Sequence, residues 1–402
     1  MDQLMITFET VTPLFLGGSE PRGQPEIRPP SIRGALRYWL RAALGGTIGD
    51  KDFGQISSVE SLVFGKADEK FGASAVVIRL HNSSLREQYF SELIGSDPKG
   101  NRVRYPGMAY LWFSARSTRK EGERRGLWGN FDLTMSARMG AKNSTQRFQE
   151  AYAALWLWVN LGGLGSRARR AAGNLRVART EGSSHLLENL PLTTRAKTPQ
   201  ELAEELGSGI KFCRQLFAAS YPKGAVKKPS AFDLLHPEVC KVWVLDKSYG
   251  DWQEAVNEFG LIYQGFRSRR QPDYKTVKDA VSSGKDLAKP VERAAFGLPI
   301  QFYYRSLNGR GAGLQSENFD RRSSPLLIHV TRLATNQYAV SLVWFRSIFL
   351  PDGENLKWVD KGFSGMGTVP DDHLIELFIN KTDPVKQSSL RDKLQPIEVN
   401  YV

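Results

Sequence analysis

A loop of three glycines and three arginines lies near the middle of this 402-residue chain: Gly162-Gly163-Leu164-Gly165-Ser166-Arg167-Ala168-Arg169-Arg170. Glycine lets a backbone approach a ligand closely and adopt positive φ. Arginine offers a planar fork of donors that fits phosphate oxygens. Residues 161–180 contain five arginines and no Asp or Glu. We expect this loop to lie against a polyanion, with these candidate contacts: Gly163, Gly165, Ser166, Arg167, Arg169 and Arg170.

The elements around this Gly/Arg loop predict the fold of the N-terminal part. Apolar spacing predicts a helix over 145–161 before the loop, and a short strand over 174–178 follows it. Upstream elements are a strand at 4–11, a helix at 32–44 and strand candidates at 74–80, 109–115 and 130–138. The order reads β-α-β-β-α-β, the ferredoxin-like arrangement, when two of the three middle strand candidates are counted. We assign it to a first domain, residues 1–182.

The first predicted helix carries a second cluster of cations. Ser31 follows two prolines and is predicted as its N-cap, and Gly45-Gly46 is predicted to end it. Three arginines at four-residue spacing form a stripe along the helix, and no acid occurs between Glu26 and Asp50. Helix N-termini bind phosphate through unpaired N–H groups and the dipole. The candidate phosphate contacts are Arg28, Ser31, Arg33, Arg37 and Arg41.

The remainder, residues 183–402, predicts a second α+β domain. Helical patterns cover 199–219 and 249–260, and a basic stretch covers 265–278. Strand candidates are 298–304, 325–333 and 338–350. The charged segment 115–128 between two strand candidates predicts an exposed hairpin tip or finger.

Composition supports a polyanionic partner. Lys and Arg total 55 and Asp and Glu total 42, which gives a net charge of 55 − 42 = +13. A basic balance of this size favours nucleic acid or an anionic surface. The two cysteines form no Cys-x-x-Cys pair, which argues against a disulfide framework or zinc module. Neither a signal peptide nor a bilayer-length apolar run is recognised, so a cytoplasmic protein is expected.

Three other patterns compete with this interpretation. Gly163 to Ala168 fits a dinucleotide-binding pattern, but that fingerprint must follow a strand and here it follows a helix. Residues 361–365 partly match an aromatic RNA-binding signature and are interpreted as a loop. Aromatic residues alternate with three further cations, which makes base stacking plausible there: Arg267, Arg269 and Arg270. Tyr303 and Tyr304 lie in a predicted strand and are assigned to the core.

Nothing in the sequence recommends catalysis. The five histidines are widely spaced, and no Ser/His/Asp, Cys/His or metal-ligand set can be assembled from them. We therefore predict a non-enzymatic protein without a metal or cofactor. An endoribonuclease would need a general base, for which His81 or His185 are candidates.

Several runs of sequence resemble RAMP proteins, and more narrowly the family of subunit one of the type III-B CRISPR Cmr effector complex. The matching runs spread over most of the chain: Thr12-Pro13-Leu14-Phe15-Leu16-Gly17-Gly18, then 28–41 (RPPSIRGALRYWLR), 60–65 (ESLVFG), the Gly/Arg loop, 294–300 (AAFGLPI) and 321–327 (RRSSPLL).

This resemblance implies two ferredoxin-like, RRM-like RAMP domains packed together. It implies a non-catalytic subunit that caps the target-distal end of an antiviral ribonucleoprotein, beside other RAMP subunits. Such a subunit contacts the 3′ part of the crRNA and the target RNA through phosphate groups. Cleavage in that family belongs to a neighbouring subunit with an aspartate in the loop after its first strand, and residues 12–30 contain no Asp.

The family's loop usually continues as Arg-Arg-Gly-Phe-Gly-Ser, whereas here it continues with Ala171, Ala172 and Gly173. The missing glycine restricts the backbone at 171. The alternatives that stay open are a crRNA-processing endoribonuclease, a different RAMP backbone or capping subunit, and a free-standing RNA chaperone.

Overall fold

The computed structural model describes residues 2–18, 20, 22–67, 72–97, 102–118, 121–183, 186–319, 321–360, 362–384 and 386–402. Its strands are β1 (Gln3–Thr10), β2 (Val76–Ser83), β3 (Arg86–Tyr89), β4 (Arg125–Trp128), β5 (Asn130–Ala137), β6 (Leu175–Ser183), β7 (Cys240–Tyr249), β8 (Ile300–Tyr304), β9 (Arg310–Ser316), β10 (Leu326–Arg332), β11 (Tyr338–Phe345), β12 (Leu356–Asp360), β13 (Phe363–Gly367) and β14 (Pro396–Glu398). Its α-helices are α1 (Pro29–Ile48), α2 (Phe53–Phe64), α3 (Phe90–Leu93), α4 (Pro106–Leu111), α5 (Ser144–Leu161), α6 (Leu186–Asn189), α7 (Pro199–Ser220), α8 (Trp252–Arg267), α9 (Asp273–Ser283), α10 (His373–Asn380) and α11 (Leu390–Lys393).

The first sheet has the strand order β2-β5-β1-β6, and its neighbouring strands are antiparallel. If these strands are numbered one to four along the chain, the order is two-three-one-four, which the β-α-β-β-α-β prediction requires. Alternate residues of β1 are buried, so one face of the sheet packs on helices α1 and α5. The predicted α+β class is confirmed.

The segment 109–115 is helical, which corrects its prediction as a strand. Pro106 starts α4 and a 3₁₀ turn, Phe113–Ala115, follows it. Proline is favoured in the first helical turn because its missing N–H would be unpaired there anyway. The apolar run is too short for its periodicity to separate helix from strand.

Helix α1 is longer than predicted at both ends. It begins at Pro29, so Ser31 is its third residue and Arg28 is the N-cap. It also continues through Gly45-Gly46 to Ile48. A Cβ at Gly46 would overlap the backbone of Leu235, so these glycines allow close packing and do not end the helix.

A second sheet repeats the first topology with different strands. Its order is β10-β11-β7-β14, again two-three-one-four along the chain. This is the strand order of a ferredoxin-like sheet. Buried residues of both sheets, such as Ile6 and Val242, belong to one hydrophobic cluster.

The chain divides into two compact units. The first contains residues 1–261, 327–345 and 397–402, and therefore both sheets just described. The second contains residues 262–326 and 346–396, with the sheet β13-β12-β9-β8 and a core around Trp358. The predicted boundary at 182/183 falls at the end of β6, where the first sheet is complete. A domain boundary at 182/183, at the end of the first ferredoxin-like repeat, stays a prediction.

The exposed finger predicted at 115–128 is partly ordered by pairing. Residues 119 and 120 lie outside the described part of the chain, but Arg125–Trp128 forms β4 and pairs with β3. Likewise, the predicted loop at 361–365 contains the start of β13, which pairs with β12; Lys361 lies outside the described residues. No helix in the described ranges is long and apolar enough to cross a membrane.

Candidate nucleic-acid interface

The Gly/Arg loop is fixed to the segment that follows β1. Ser166 donates its backbone N–H to the Phe15 carbonyl at 2.9 Å, and Gly173 donates to the Pro13 carbonyl at 2.9 Å. Leu164 closes the loop on itself through the Gly173 carbonyl at 2.9 Å. These bonds hold the loop in one conformation beside the first sheet.

The glycines of the loop serve this internal packing. Gly165 has a φ of +91°, and a Cβ there would lie 2.7 Å from the Phe15 carbonyl oxygen. A Cβ at Gly163 would lie 2.9 Å from the Ala172 carbonyl oxygen. Close approach to the protein's own backbone therefore explains both glycines, and their role as ligand contacts stays a prediction. Ala171 adopts a left-handed φ of 60° although it lacks the family's glycine.

Arg167 lies over an aromatic ring at the surface. It has a φ of 65°, and its Nε donates to Ser114 Oγ at 2.7 Å. Its guanidinium carbon is 4.5 Å from the centre of the Phe113 ring. The loop is thereby joined to the 3₁₀ turn after α4.

Arg169 joins the loop to helix α1. Its Nη2 donates to Asp233 Oδ2 at 2.9 Å and to the Tyr38 hydroxyl at 3.3 Å. Burial alone lowers the pKa of Arg169, but Tyr38 and Asp233 raise that pKa above its ordinary value. Burial and Asp233 hold the pKa of Tyr38 well above its ordinary value, although Arg169 opposes them. Arg169 thus stays charged and has an acidic partner.

The other half-buried cation of the loop, Arg170, has a backbone role. Its carbonyl accepts a hydrogen bond from Trp112 Nε1 at 2.8 Å, and its N–H donates to the Arg167 carbonyl at 2.7 Å. Trp112 is fully buried, so this carbonyl anchors the turn after α4 to the loop.

Two arginines of the α1 stripe bind the same carboxylate. Arg37 and Arg41 donate to the two Glu60 oxygens at 2.6 and 2.9 Å. Arg37 also donates to the carbonyls of Phe64 and Gly65. Because Glu60 lies on α2, these arginines tie α2 to α1, and this observation counts against a phosphate role for Arg37. Arg41 remains nearly half exposed.

Arg33 differs from the other stripe residues. It is half-buried, its Nε has no hydrogen-bond partner, and within the described ranges no ion pair involves it. Gly34 beside it is exposed, and a Cβ there would have nothing within 4 Å. Tyr38, one turn further on, contacts Arg169, so the open edge of α1 adjoins the Gly/Arg loop.

The N-terminus of α1 lacks the unpaired donors that the sequence suggested. Pro29 and Pro30 have no N–H, and Ser31 and Ile32 both donate to the Arg28 carbonyl at 3.0 and 3.4 Å. Ser31 therefore does not cap the helix. Arg28 itself is 43% exposed, 3.8 Å from Glu26. Phosphate binding at this end would depend on side-chain charge and not on backbone donors.

The three cations at and just after the end of α8 have separate environments in the second unit. Arg270 is buried and forms two hydrogen bonds with Asp383, at 3.1 and 3.2 Å, which counts against its prediction as an RNA contact. Arg267 packs over Tyr263 at 4.8 Å. Arg269 is exposed with a φ of 50°. Of the tyrosines assigned to the core, Tyr304 is buried but Tyr303 is 65% exposed.

Two arginines near the loop were not predicted. Arg22 lies in the loop after β1 and donates to the carbonyls of Ser114, Arg116 and Gly122 at 3.0, 2.8 and 2.6 Å. Arg124 donates to Ser166 Oγ at 3.0 Å. Both arginines lie in charged loops, which indicates an exposed cation but not its partner. The partners of Arg22 are 92 to 100 residues away in sequence, and the partner of Arg124 is 42 residues away. A local sequence pattern cannot show such contacts.

The described histidines form no catalytic arrangement with a metal. No group of three His, Cys, Asp or Glu side chains that could hold a metal ion occurs in the described part of the chain. His81 contacts the Thr134 hydroxyl at 2.7 Å on the first sheet. His329 is buried between Gly162 and Asn174. His185 lies outside the described residues.

Comparison with known proteins agrees with this topology. Residues 7–176 match the model of the RAMP superfamily. The chain is 27% identical over 353 residues to the CRISPR system Cmr subunit Cmr1-1 of Pyrococcus furiosus, covering 88% of this chain and 90% of the relative. It is 29% identical over 184 residues to the Cmr1-2 subunit of that organism, covering 44% of this chain and 96% of the relative.

Among solved structures, apo Cmr1 from Pyrococcus furiosus superposes with a TM-score of 0.61 at 22% identity, covering 100% of this chain and 99% of that one. A chain of the type III-B Cmr-beta complex bound to cognate target RNA superposes with a TM-score of 0.50 at 13% identity, covering 86% and 94%. These likenesses establish the fold. Together with the sequence relatives, they confirm the resemblance predicted from the motifs.

Proposed function

We propose that this chain, which matches the RAMP superfamily over residues 7–176 and is similar to the Cmr1-1 subunit of Pyrococcus furiosus, is a RAMP protein that serves as a non-catalytic RNA-binding subunit of a type III-B CRISPR effector complex. In this proposal it caps the target-distal end of the backbone of RAMP subunits. It contacts the 3′ part of the crRNA and the target RNA through phosphate groups. Its partners are these RNAs and the neighbouring Cmr subunits.

The observation that carries the proposal is the cationic face where α1 adjoins the Gly/Arg loop. Arg33 lies on the open edge of α1 and Arg28 lies at the N-terminus of that helix. Arg167 and Arg170 lie in the adjoining loop. Residues 161–180 contribute no carboxylate to this face, and the net charge of the chain is +13. Clustered guanidinium groups of this kind attract a sugar–phosphate strand.

A guide-binding subunit must accept any guide sequence. Contacts to phosphate and sugar fix the register of a nucleic acid without reading its bases. Arginine donors meet this need because phosphate oxygens are the same at every nucleotide. The comparison with a Cmr complex bound to target RNA supports the choice of RNA as the polyanion.

A first experiment removes the charge of Arg33. Arg33→Ala should weaken binding of the full chain to a mixed-sequence single-stranded RNA about three- to ten-fold. The slope of log K against log salt should fall by about 0.7, the value for one lost phosphate contact on a single strand. The melting temperature should change little because this residue makes no ion pair among the described residues. Unchanged affinity and slope would contradict the proposal.

A matched pair of variants at Gly34 tests the same face without removing any contact. A Cβ at this exposed position would have nothing within 4 Å, so Gly34→Gln and Gly34→Glu should both fold. They have the same size and differ by one negative charge. Gly34→Glu should weaken RNA binding several-fold relative to Gly34→Gln because it repels phosphate. Equal affinities would place the RNA elsewhere.

The enzymatic alternative has a direct test. Incubation of the purified chain with repeat RNA, with and without EDTA, should leave the RNA intact. Site-specific cleavage would contradict the proposed non-catalytic role and would indicate a crRNA-processing endoribonuclease. Co-purification with other RAMP subunits from native extract, examined by mass spectrometry, should yield a stable assembly; an isolated chain would favour an RNA chaperone.

A further inference from the structure

The 3₁₀ turn after α4 presents one large aromatic side chain to solvent beside the Gly/Arg loop. Phe113 is 56% exposed, while its neighbours Trp112 and Ala115 are buried. Leaving an aromatic ring in water forgoes the free energy that its burial would supply. The exposed ring of Phe113 thus lies between chain positions that are themselves buried.

The turn is rigidly anchored. Trp112 packs edge-on against Phe15, with ring centres 5.4 Å apart, and donates to the Arg170 carbonyl at 2.8 Å. Arg22, only 16% exposed, donates to the Ser114 carbonyl at 3.0 Å. The chain on both sides of Phe113 is therefore fixed before any ligand arrives, which reduces the entropy lost on binding.

A cation already stacks on this ring. The Arg167 guanidinium lies 4.5 Å from the ring centre and is held by Ser114 Oγ at 2.7 Å. Arg167 has a φ of 65°, a left-handed conformation that is uncommon for residues other than glycine. An aromatic ring with an adjacent guanidinium is the arrangement on which proteins stack single-stranded bases.

The charges around the ring favour a nucleic acid over a protein surface. Arg116 is exposed on the same turn, and Arg124 binds Ser166 in the adjoining loop. The nearby carboxylate Glu121 is paired with Arg22 at 2.6 Å. Cations beside an exposed ring can bind the phosphates that flank a stacked base.

We propose that Phe113 and Arg167 form a stacking site for one unpaired base of a single-stranded RNA. This inference rests on the proposed function and names one way in which the Gly/Arg loop holds RNA. Every base has a π face, so stacking adds affinity without sequence preference. It is also independent of the phosphate contacts assigned to Arg33.

Three variants at this position separate the ring from its volume. Phe113→Leu removes the ring and keeps an apolar side chain, Phe113→Trp keeps a ring, and Phe113→Ala removes both. Binding of the full chain to a mixed-sequence single-stranded RNA should weaken about five-fold or more in Phe113→Leu and Phe113→Ala. The Phe113→Trp variant should bind this RNA as tightly as the native chain. All three should leave the melting temperature nearly unchanged because Phe113 is exposed.

A matched control lies on α2. Phe53 is 55% exposed, and its ring is tilted against that of Phe232 with ring centres 5.2 Å apart. Because Phe53 lies on α2, outside the Gly/Arg loop and its turn, Phe53→Leu should leave RNA affinity unchanged. A second readout is a series of RNAs with one 2-aminopurine at successive positions, whose fluorescence is quenched on stacking. One position should be quenched by the native protein and not by Phe113→Leu.

The outcomes separate the two proposals. Loss of affinity in Phe113→Leu with an unchanged salt slope supports stacking, because stacking releases no counterions. Normal RNA affinity in Phe113→Leu alongside weakened Arg33→Ala overturns the stacking site and leaves the phosphate face intact. Normal RNA affinity with lost co-purification of RAMP subunits makes Phe113 a protein contact and also overturns it. If the native chain binds no RNA, the proposed function itself fails.

Discussion

At the scale of the residue, Asn174 and His329 explain how the Gly/Arg loop keeps its shape. Asn174 donates through Nδ2 to the Gly162 carbonyl at 2.9 Å, and its Oδ1 accepts from the Val330 N–H at 3.0 Å. His329 Nδ1 lies 2.7 Å from the same Gly162 carbonyl. A carbonyl can only accept, so Nδ1 carries the proton. Two buried side chains therefore fix the start of the loop against β10.

Acid should destabilise the fold through His329. Burial lowers its pKa from 6.5 to about 4, so the unfolded chain takes up a proton first as the pH falls below 6.5. The stability contributed by the neutral ring is complete above pH 6.5 and is lost as the pH falls toward about 4. Urea unfolding at about pH 7.5 and about pH 5 should show the native chain losing about 2 kcal/mol more than His329→Gln.

The control for this titration is the variant itself. His329→Gln retains the other titrating groups, including His236, whose pKa is lowered by burial and by Arg214. Their acid sensitivity is common to both proteins and cancels in the difference. Equal losses in the two proteins would show that the pKa of His329 is the same in the folded and unfolded states.

Single residues also show where sequence reasoning ends. Clustered arginines were recognised from the absence of nearby acids, and this signal is local. The acid that binds Arg37 is Glu60, and the acid that binds Arg270 is Asp383, 113 positions away. Only the fold brings these partners together, so the sequence could not separate cations that stabilise the protein from cations available to a ligand.

At the scale of the element, α1 combines a buried face with an edge directed outward. Its apolar residues at helical spacing, such as Ile32, Leu36 and Trp39, are buried, and a helical period of this kind is visible in a window of this length. Its C-terminal end was mispredicted because Gly45 and Gly46 have a packing role that depends on residues 232–235. Periodicity thus predicted the existence of the helix, and tertiary contacts set its boundaries.

Removing Arg37 should test whether this arginine of α1 stabilises the fold and does not bind RNA. Arg37→Ala leaves the carbonyls of Phe64 and Gly65 without this donor and leaves Glu60 with one cation. Because Glu60 is only 10% exposed, we expect a loss of about 1–3 kcal/mol in the free energy of unfolding. Urea unfolding measures it, and RNA affinity under conditions where the variant is folded should be nearly native.

Arg33→Ala is the matched control for this prediction because it removes the same charge from the same helix without breaking an ion pair among the described residues. Its stability should change by less than about 0.5 kcal/mol. If instead Arg37→Ala keeps full stability and loses RNA affinity, the pair with Glu60 opens in the complex and Arg37 returns to the set of RNA contacts.

At the scale of the whole molecule, the topology of the first sheet was predicted better than that of the second sheet and of the sheet inserted into it in sequence. The first β-α-β-β-α-β order follows from alternating periodicities along a continuous stretch. The second one is harder to recognise because its strands β7, β10, β11 and β14 are separated by the sheet β13-β12-β9-β8. Strands β7, β9, β12 and β13 were missed. The strands β9 and β13 contain glycine, which carries little strand signal, and β12 has only five residues.

The net charge of +13 should appear as a strong dependence of RNA binding on salt. Each phosphate contact to a single strand releases about 0.7 counterion, so about six contacts lower the affinity by two to three decades between about 50 and about 200 mM salt. RNAs of different sequence and equal length should follow the same line. Fluorescence anisotropy over a salt series measures both.

The position of the charge matters more than its total in this prediction. Replacing Arg28 and Arg33 together by alanine should reduce the slope of log K against log salt by about 1.4, two contacts at about 0.7 each. Replacing the exposed pair Lys227 and Lys228 changes the net charge by the same amount, but these residues lie outside the proposed face. The lysine pair should therefore leave the slope nearly unchanged; equal reductions from both pairs would mean that RNA binds a diffuse positive field and not the face formed by α1 and the Gly/Arg loop.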